Sequence, residues 1–109
     1  MPIPDLNGYG VLPEGRHVCS LQEVADRYAN NEHRQQLWED FENFLAWLGP
    51  QPSPQIILID GGFTSDKPDP KDIDVVLDVS NCPPLVQQHW TMSFFTDRSD
   101  IERDYRVDF

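Results

Sequence analysis

The residues best suited to chemistry are Asp72 and Asp74, spaced Asp-Ile-Asp at the head of the apolar run Ile73-Asp-Val-Val-Leu-Asp-Val79. On a strand, alternate side chains share a face, so both carboxylates project the same way. Carboxylates held that close repel unless a cation lies between them. Hard divalent cations such as Mg2+ take oxygen ligands of this kind, with substrate phosphates completing the shell. Upstream, Gly61-Gly62 follows directly on Gln55-Ile-Ile-Leu-Ile59-Asp60. Two glycines at the end of a strand let the backbone turn sharply and approach a phosphate without interference from Cβ. A strand-borne carboxylate pair facing such a turn outlines a metal–triphosphate site. Its chemistry would be in-line phosphoryl or nucleotidyl transfer, with metals clamping the attacking and leaving oxygens. The plainer reading is a solvated strand edge with turn-forming acids and a hairpin at the glycines. The nine residues between Gly62 and Asp72 speak against a two-residue hairpin.

The order Ile59-Asp60-Gly61-Gly62, spacer, Asp72-Ile73-Asp74-Val75 resembles the nucleotidyltransferase signature of a hydrophobic strand, Gly-Gly or Gly-Ser, and Asp-hydrophobic-Asp. With Gly10-Val-Leu-Pro-Glu-Gly15 and the capped helix after it, the pattern is similar to short bacterial and phage proteins that themselves resemble the minimal nucleotidyltransferases found as antitoxins. The resemblance covers most of the chain. It implies a polymerase-beta-like nucleotidyltransferase fold in which Asp72, Asp74 and a third carboxylate on a later strand form the catalytic metal site. Tyr105-Arg-Val-Asp108-Phe resembles that later strand, so Asp108 is the implied third ligand, and Gly61 and Gly62 would hold the phosphates of a nucleoside triphosphate with Mg2+. Two departures bear on activity. Gly62 stands where many active relatives carry serine, and the sequence ends at Phe109, one residue past Asp108. Both point toward a weakened or purely structural version of the site, and whether the chain is an enzyme stays open.

Two functions follow. One is a Mg2+-dependent nucleotidyltransferase-like protein that modifies or neutralises a partner protein in a toxin–antitoxin or phage–host conflict. The other is a non-catalytic acidic interaction protein, such as an immunity protein, antitoxin or phage-encoded inhibitor, that blocks a basic partner. In that case charge complementarity would set association rate and specificity more than affinity.

The elements that must position these residues are readable from their periods. Residues 1–19, with Pro2, Pro4, Gly8, Gly10, Pro13 and Gly15, read as an extended lead-in whose Val11 and Leu12 pack on the domain. Ser20-Leu-Gln-Glu23 is a capping box opening a helix. Asn30-Asn31 breaks it and caps the next. From Glu32 to Leu48, the residues Leu37, Phe41, Phe44, Leu45 and Leu48 fall on one stripe, flanked by Trp38 and Trp47. Gly49-Pro50 ends that helix with a left-handed glycine cap. The run Gln55–Ile59 predicts a strand buried on both faces. In the second strand, Asp74, Val76 and Asp78 share one face, with Ile73, Val75, Leu77 and Val79 on the other. Asn81-Cys-Pro-Pro84 opens a helix through Trp90. Met92–Phe95 is ambiguous, Asp97–Asp104 gives one or two helical turns, and Tyr105–Phe109 alternates like a strand. The fold class expected is α+β: one domain over 1–109, a small mixed sheet of about three strands packed by two N-terminal helices.

Composition narrows the partners. The chain of 109 residues carries nineteen acids and eight bases, a net charge of −11 spread over both halves. That balance argues against nonspecific nucleic-acid binding and against anionic membranes, and it suits cations or a basic protein. No basic leader followed by an apolar stretch opens the sequence, and no apolar run reaches membrane-spanning length, so the expectation is a cytoplasmic protein. Cys19 and Cys82 lie 63 residues apart and read as reduced thiols. His17, His33 and His89 have no metal spacing, and Asp60 and Asp78 read as strand-end residues. Lys67 and Lys71 read first as solvated loop lysines, with contact to a phosphate as the alternative. The exposed edge of so small a sheet is a place where a dimer could form.

Overall fold

The computed structural model describes residues 3–6, 8, 10 and 16–109. Helix α1 (Leu21–Tyr28) opens on the capping box: Ser20 Oγ accepts from Glu23 N, and Ser20 N donates to Glu23 Oε1, both at 3.1 Å. Helix α2 (Glu32–Leu48) is capped by Asn31, whose Oδ1 accepts from Arg34 N at 2.8 Å. Strand β1 (Ile56–Asp60) leads into a short 3-10 turn, Gly61–Thr64, and a loop brings the chain back as β2 (Ile73–Asp78). Helices α3 (Pro84–Thr96) and α4 (Arg98–Tyr105) follow, and β3 (Val107–Asp108) closes the sheet. The strand order is β1-β2-β3, with β1 and β2 antiparallel and β2 and β3 parallel. The class is therefore α+β, with a three-stranded mixed sheet and four α-helices among the described residues.

The core lies where the α2 stripe meets the inner face of the sheet. Leu37, Phe41 and Phe44 are fully buried with Phe63, Ile73 and Val107. The rings of Trp38, Phe41, Phe44 and Trp47 form a chain of contacts along α2, with centroids 5.0–6.0 Å apart. Burial of these rings is the main favourable term in a chain of this size, about 3–5 kcal/mol for each Phe that would be truncated to Ala.

Several expectations need correction. Strand β1 is not buried on both faces: among the described residues it is an edge strand with β2 as its one neighbour, and Ile56 and Ile57 are partly exposed. Its unbroken apolar run imitates a central strand because periodicity alone cannot report the number of neighbours. Gly49 does not cap α2 in the left-handed region; its backbone stays right-handed at φ −52°, ψ −45°. The left-handed helix cap falls instead on Arg106, φ 50°, at the end of α4. Helix α3 runs past Trp90 to Thr96; α4, two turns long as expected, packs on α2 and β3, so the sheet is not covered by two N-terminal helices alone. The packing expected of Val11 and Leu12 lies outside the described residues. Both cysteines are free thiols, as expected.

Candidate metal centre beside a clamped turn

Three strands bring one aspartate each to the same level of the sheet. In the register, Asp60 of β1 lies opposite Asp74 of β2, and Asp74 lies opposite Asp108 of β3. The sequence-expected set is brought together: one carboxylate oxygen from each of Asp72, Asp74 and Asp108 lies within 4.8 Å of the others. Asp72 arrives from the loop that enters β2, and Asp108 from a strand only two residues long. The backbone bond from Ile73 N to Arg106 O, 3.0 Å, starts that parallel pairing. The left-handed turn at Arg106 aims β3 along β2, and an ion pair from Arg106 Nε to Asp40 Oδ2 at 2.7 Å ties the turn to α2. Asp108 is thus placed by the α4–β3 corner.

The cluster is electrostatically uneasy. Burial pushes the Asp74 carboxyl above the ordinary aspartate range, and the charges of Asp72, Asp108 and Asp60 push it further the same way. The contribution of Asp60 was missed from sequence; it became visible only through strand register. Arg98, at the start of α4, offsets part of this repulsion. Its Nη2 and Nε both bond Asp108 Oδ1, at 2.9 and 3.3 Å, and its guanidinium stacks over the Phe94 ring at 4.9 Å. Both contacts fall on Oδ1, so Arg98 leaves Oδ2 of Asp108 unused.

Gly61 is fixed by Asp74. It sits at φ +79°, and a Cβ on it would fall 1.9 Å from Asp74 Oδ2, so no side chain fits while that carboxylate holds its place. Gly62 is less constrained: a Cβ there would meet Lys67 Cδ at 3.3 Å and Pro70 Cβ at 3.5 Å. A serine at 62 therefore fits if the flexible lysine stem gives slightly. The carbonyl of Gly62 already accepts from Ser65 Oγ at 2.7 Å and from Arg34 Nη2 at 3.3 Å.

Arg34 is the residue that the sequence reading passed over. It is 1% exposed, and its guanidinium bonds the carbonyls of Tyr28, Gly62, Phe63, Ser65 and Lys67. It also lies over the Phe63 ring at 5.3 Å. Burial draws its pKa down, with Tyr28 and Asp66 acting the other way. An arginine fork is suited to this because five N–H donors can meet several carbonyls at once. The available signal was its position: Arg34 stands on the apolar stripe, one turn before Leu37 and Trp38. His33 and Asn31 add to the same hold on the loop, with His33 Nε2 2.6 Å from Pro70 O and Asn31 Nδ2 donating to Pro68 O at 3.1 Å. Of the loop lysines, Lys67 contributes its carbonyl to Arg34 and its stem to Gly62. Asp78 gained partners, accepting from Ser80 N and Oγ and pairing with Arg16, which hold its carboxyl below the usual range.

The donor set suits a hard cation. Mg–O bonds of about 2.1 Å place oxygens about 3–4 Å apart around one ion, so the three carboxylates need only a small side-chain closure to share it. No helix among the described residues is long and apolar enough to cross a membrane. Compared with known proteins, the chain matches no curated protein and no solved structure. One family pattern matches residues 4–109, nearly the whole length. On that match the chain belongs to the family of unknown function designated DUF6932.

Proposed function

We infer that the chain is a minimal nucleotidyltransferase-like domain, in which Asp72, Asp74 and Asp108 hold Mg2+ and the Gly61–Gly62 turn receives the phosphates of a nucleoside triphosphate. The observation that carries this reading is the convergence of the three carboxylates within 4.8 Å, directly beside a left-handed glycine that both its backbone and the Asp74 carboxylate keep from being larger. When bound, the metal supplies Lewis-acid stabilisation of charge on the transferring phosphoryl group. The residues of the chain orient and bind. Asp74, central and half-buried, would be the middle ligand, and its carboxyl, raised first by burial and then by its acidic neighbours, is the one a cation would relieve most. Asp72 and Asp108 flank it from the loop and from β3. Gly61 opens the backbone toward the phosphates, and Arg34 keeps that turn from relaxing. The acceptor in this reading is a partner protein, in keeping with the antitoxin-type proteins that the sequence resembles.

Isothermal titration with Mg2+ and each nucleoside triphosphate tests it. Binding should require the metal and vanish in Asp72→Asn/Asp74→Asn. Absence of heat with every triphosphate, or binding that survives in the folded double variant, would remove the catalytic reading. The acidic interaction protein would then stand in its place, since the charge of −11 needs neither metal nor nucleotide to meet a basic partner.

A further inference from the structure

Helix α3 is apolar on both sides. Its inner side buries Trp90 and Ser93, with Val86 packed on the core. Its outer side carries Leu85, Met92 and Phe95, which are 79%, 58% and 78% exposed. With exposed Gln88 they fall at i, i+3, i+7 and i+10, the seam spacing of helices that pair at a shallow angle. Contiguous apolar side chains on the outer side of a helix mark an interaction surface, whereas single exposed ones do not.

The charge distribution identifies the occupant. The thirteen residues of α3, Pro-Leu-Val-Gln-Gln-His-Trp-Thr-Met-Ser-Phe-Phe-Thr, include no Asp, Glu, Lys or Arg, in a chain whose net charge is −11. A basic partner would find no carboxylate on this helix to meet. A second copy of this chain has the opposite requirement: it must approach where like charges are fewest. The seam is also self-complementary. Residues 85, 88, 92 and 95 are placed symmetrically about position 90, so an antiparallel twofold sets Leu85 against Phe95 and Gln88 against Met92 at once. An isologous contact needs this property. The antiparallel arrangement opposes the two helix dipoles favourably as well.

We propose that α3 is the interface of an antiparallel homodimer, built on Leu85, Gln88, Met92 and Phe95. This face is on a different element from the β1 edge, and at its Phe95 end it adjoins Phe94, the ring over which Arg98 of the carboxylate site lies. One helix face per chain is smaller than the roughly 800 Å² per partner of a standard interface, so a weak dimer is expected, with a dissociation constant of about 1 μM as the working value.

Sedimentation equilibrium of the full-length chain over a concentration series tests the proposal. The native chain should dimerise, and the dimer should tighten as salt is raised, because screening weakens the repulsion between two acidic chains. Met92→Glu should weaken it by about tenfold or more, since each chain would bury an unpaired carboxylate. Leu85→Lys and Phe95→Glu should each be largely monomeric alone, yet associate when mixed. The antiparallel register sets position 85 of one chain against position 95 of the other, so the introduced ammonium meets the introduced carboxylate. Circular dichroism melts verify that the variants are folded; these side chains are exposed in the single chain, so their melts should resemble the parent's at dilute concentration. A native chain that stays monomeric to about millimolar concentration, roughly a thousand times the expected constant, would overturn the proposal. So would a dimer indifferent to Met92→Glu and Leu85→Lys, which would locate the contact elsewhere, or a mixture that does not associate while either single variant does.

Discussion

The turn held by Arg34 and the carboxylate cluster beside it are built on opposite electrostatic plans. At the turn, one buried cation meets five carbonyl oxygens, and every contact supports the others. At the cluster, Asp72, Asp74 and Asp108 converge on one another with a single arginine, Arg98, bonded to one of them. The first region is satisfied within the chain. The second is arranged so that a further positive charge would stabilise it. The two touch through Gly61, whose backbone belongs to the turn and whose missing side chain makes room for Asp74. A region of high internal satisfaction thus holds steady one that is left incomplete, the usual relation between a scaffold and a site.

Removing the guanidinium is the strongest way to break this comparison. Arg34→Met keeps the apolar stem but takes the arginine donor from the carbonyls of Tyr28, Phe63, Ser65 and Lys67, Gly62 keeping Ser65, at about 1–3 kcal/mol for each one that water cannot reach. The expected loss exceeds about 4 kcal/mol, a large part of the roughly 5–15 kcal/mol that keeps a domain folded. Arg34→Lys, with three donors on a flexible stem, should recover only part of it. Urea denaturation followed by tryptophan fluorescence gives the order; an Arg34→Met variant as stable as the parent would mean that the clamp is ornamental.

The next effect is at the junction. Gly61→Ala meets Asp74 Oδ2 at 1.9 Å and must also adopt φ +79°, so a loss of about 2–4 kcal/mol is expected. Asp74→Ala made together with it should return the steric part and leave about 1 kcal/mol of backbone cost. A double-mutant cycle reads the coupling directly. Additive losses would show that the glycine is needed for its backbone alone.

The smallest effect sharpens the contrast from the side of the cluster. The folded-state pKa of Asp74 is raised by burial and by its acidic neighbours. A raised pKa means that the folded chain binds the proton more tightly than the unfolded chain. The resulting stability is fully present below about pH 3.9, the ordinary aspartate value, and is lost as pH rises through the higher folded value. In metal-free buffer, Asp74→Asn should therefore gain on the parent over that window and keep the gain at neutral pH, by no more than about 1 kcal/mol because the group is partly open to solvent. Thermal melts against pH for both chains check the sign, and a gain for the parent with rising pH would contradict it. Added Mg2+ should raise the melting temperature of the parent and not that of Asp74→Asn.

Much of this arrangement was legible from residue order. The capping box at Ser20 and Glu23, the α2 stripe and the alternation of β2 are local patterns, fixed by interactions three or four residues apart or by strand pleat. Asp72 and Asp74 share a neighbourhood because they are two residues apart, although only Asp74 is in the strand. Asp108 could be named only by resemblance, because its approach depends on a parallel pairing across the whole of α3 and α4. Arg34 was hidden in plain view on the stripe: a cation at an inward position has no meaning until the carbonyls that surround it are known, and four of the five come from residues 62–67, far along the chain.

The sequence by itself determined that a Gly-Gly turn and a strand opening after Asp72 would flank a loop, since those choices are set by backbone freedom and by the two-residue strand period, although Asp72 itself stays in the loop. Only the tertiary structure decided that Asp60 faces Asp74, that Gly61 owes its identity to a carboxylate, and that β1 lies at the sheet edge. Register and neighbour number are properties of pairing between segments, and no local period carries them.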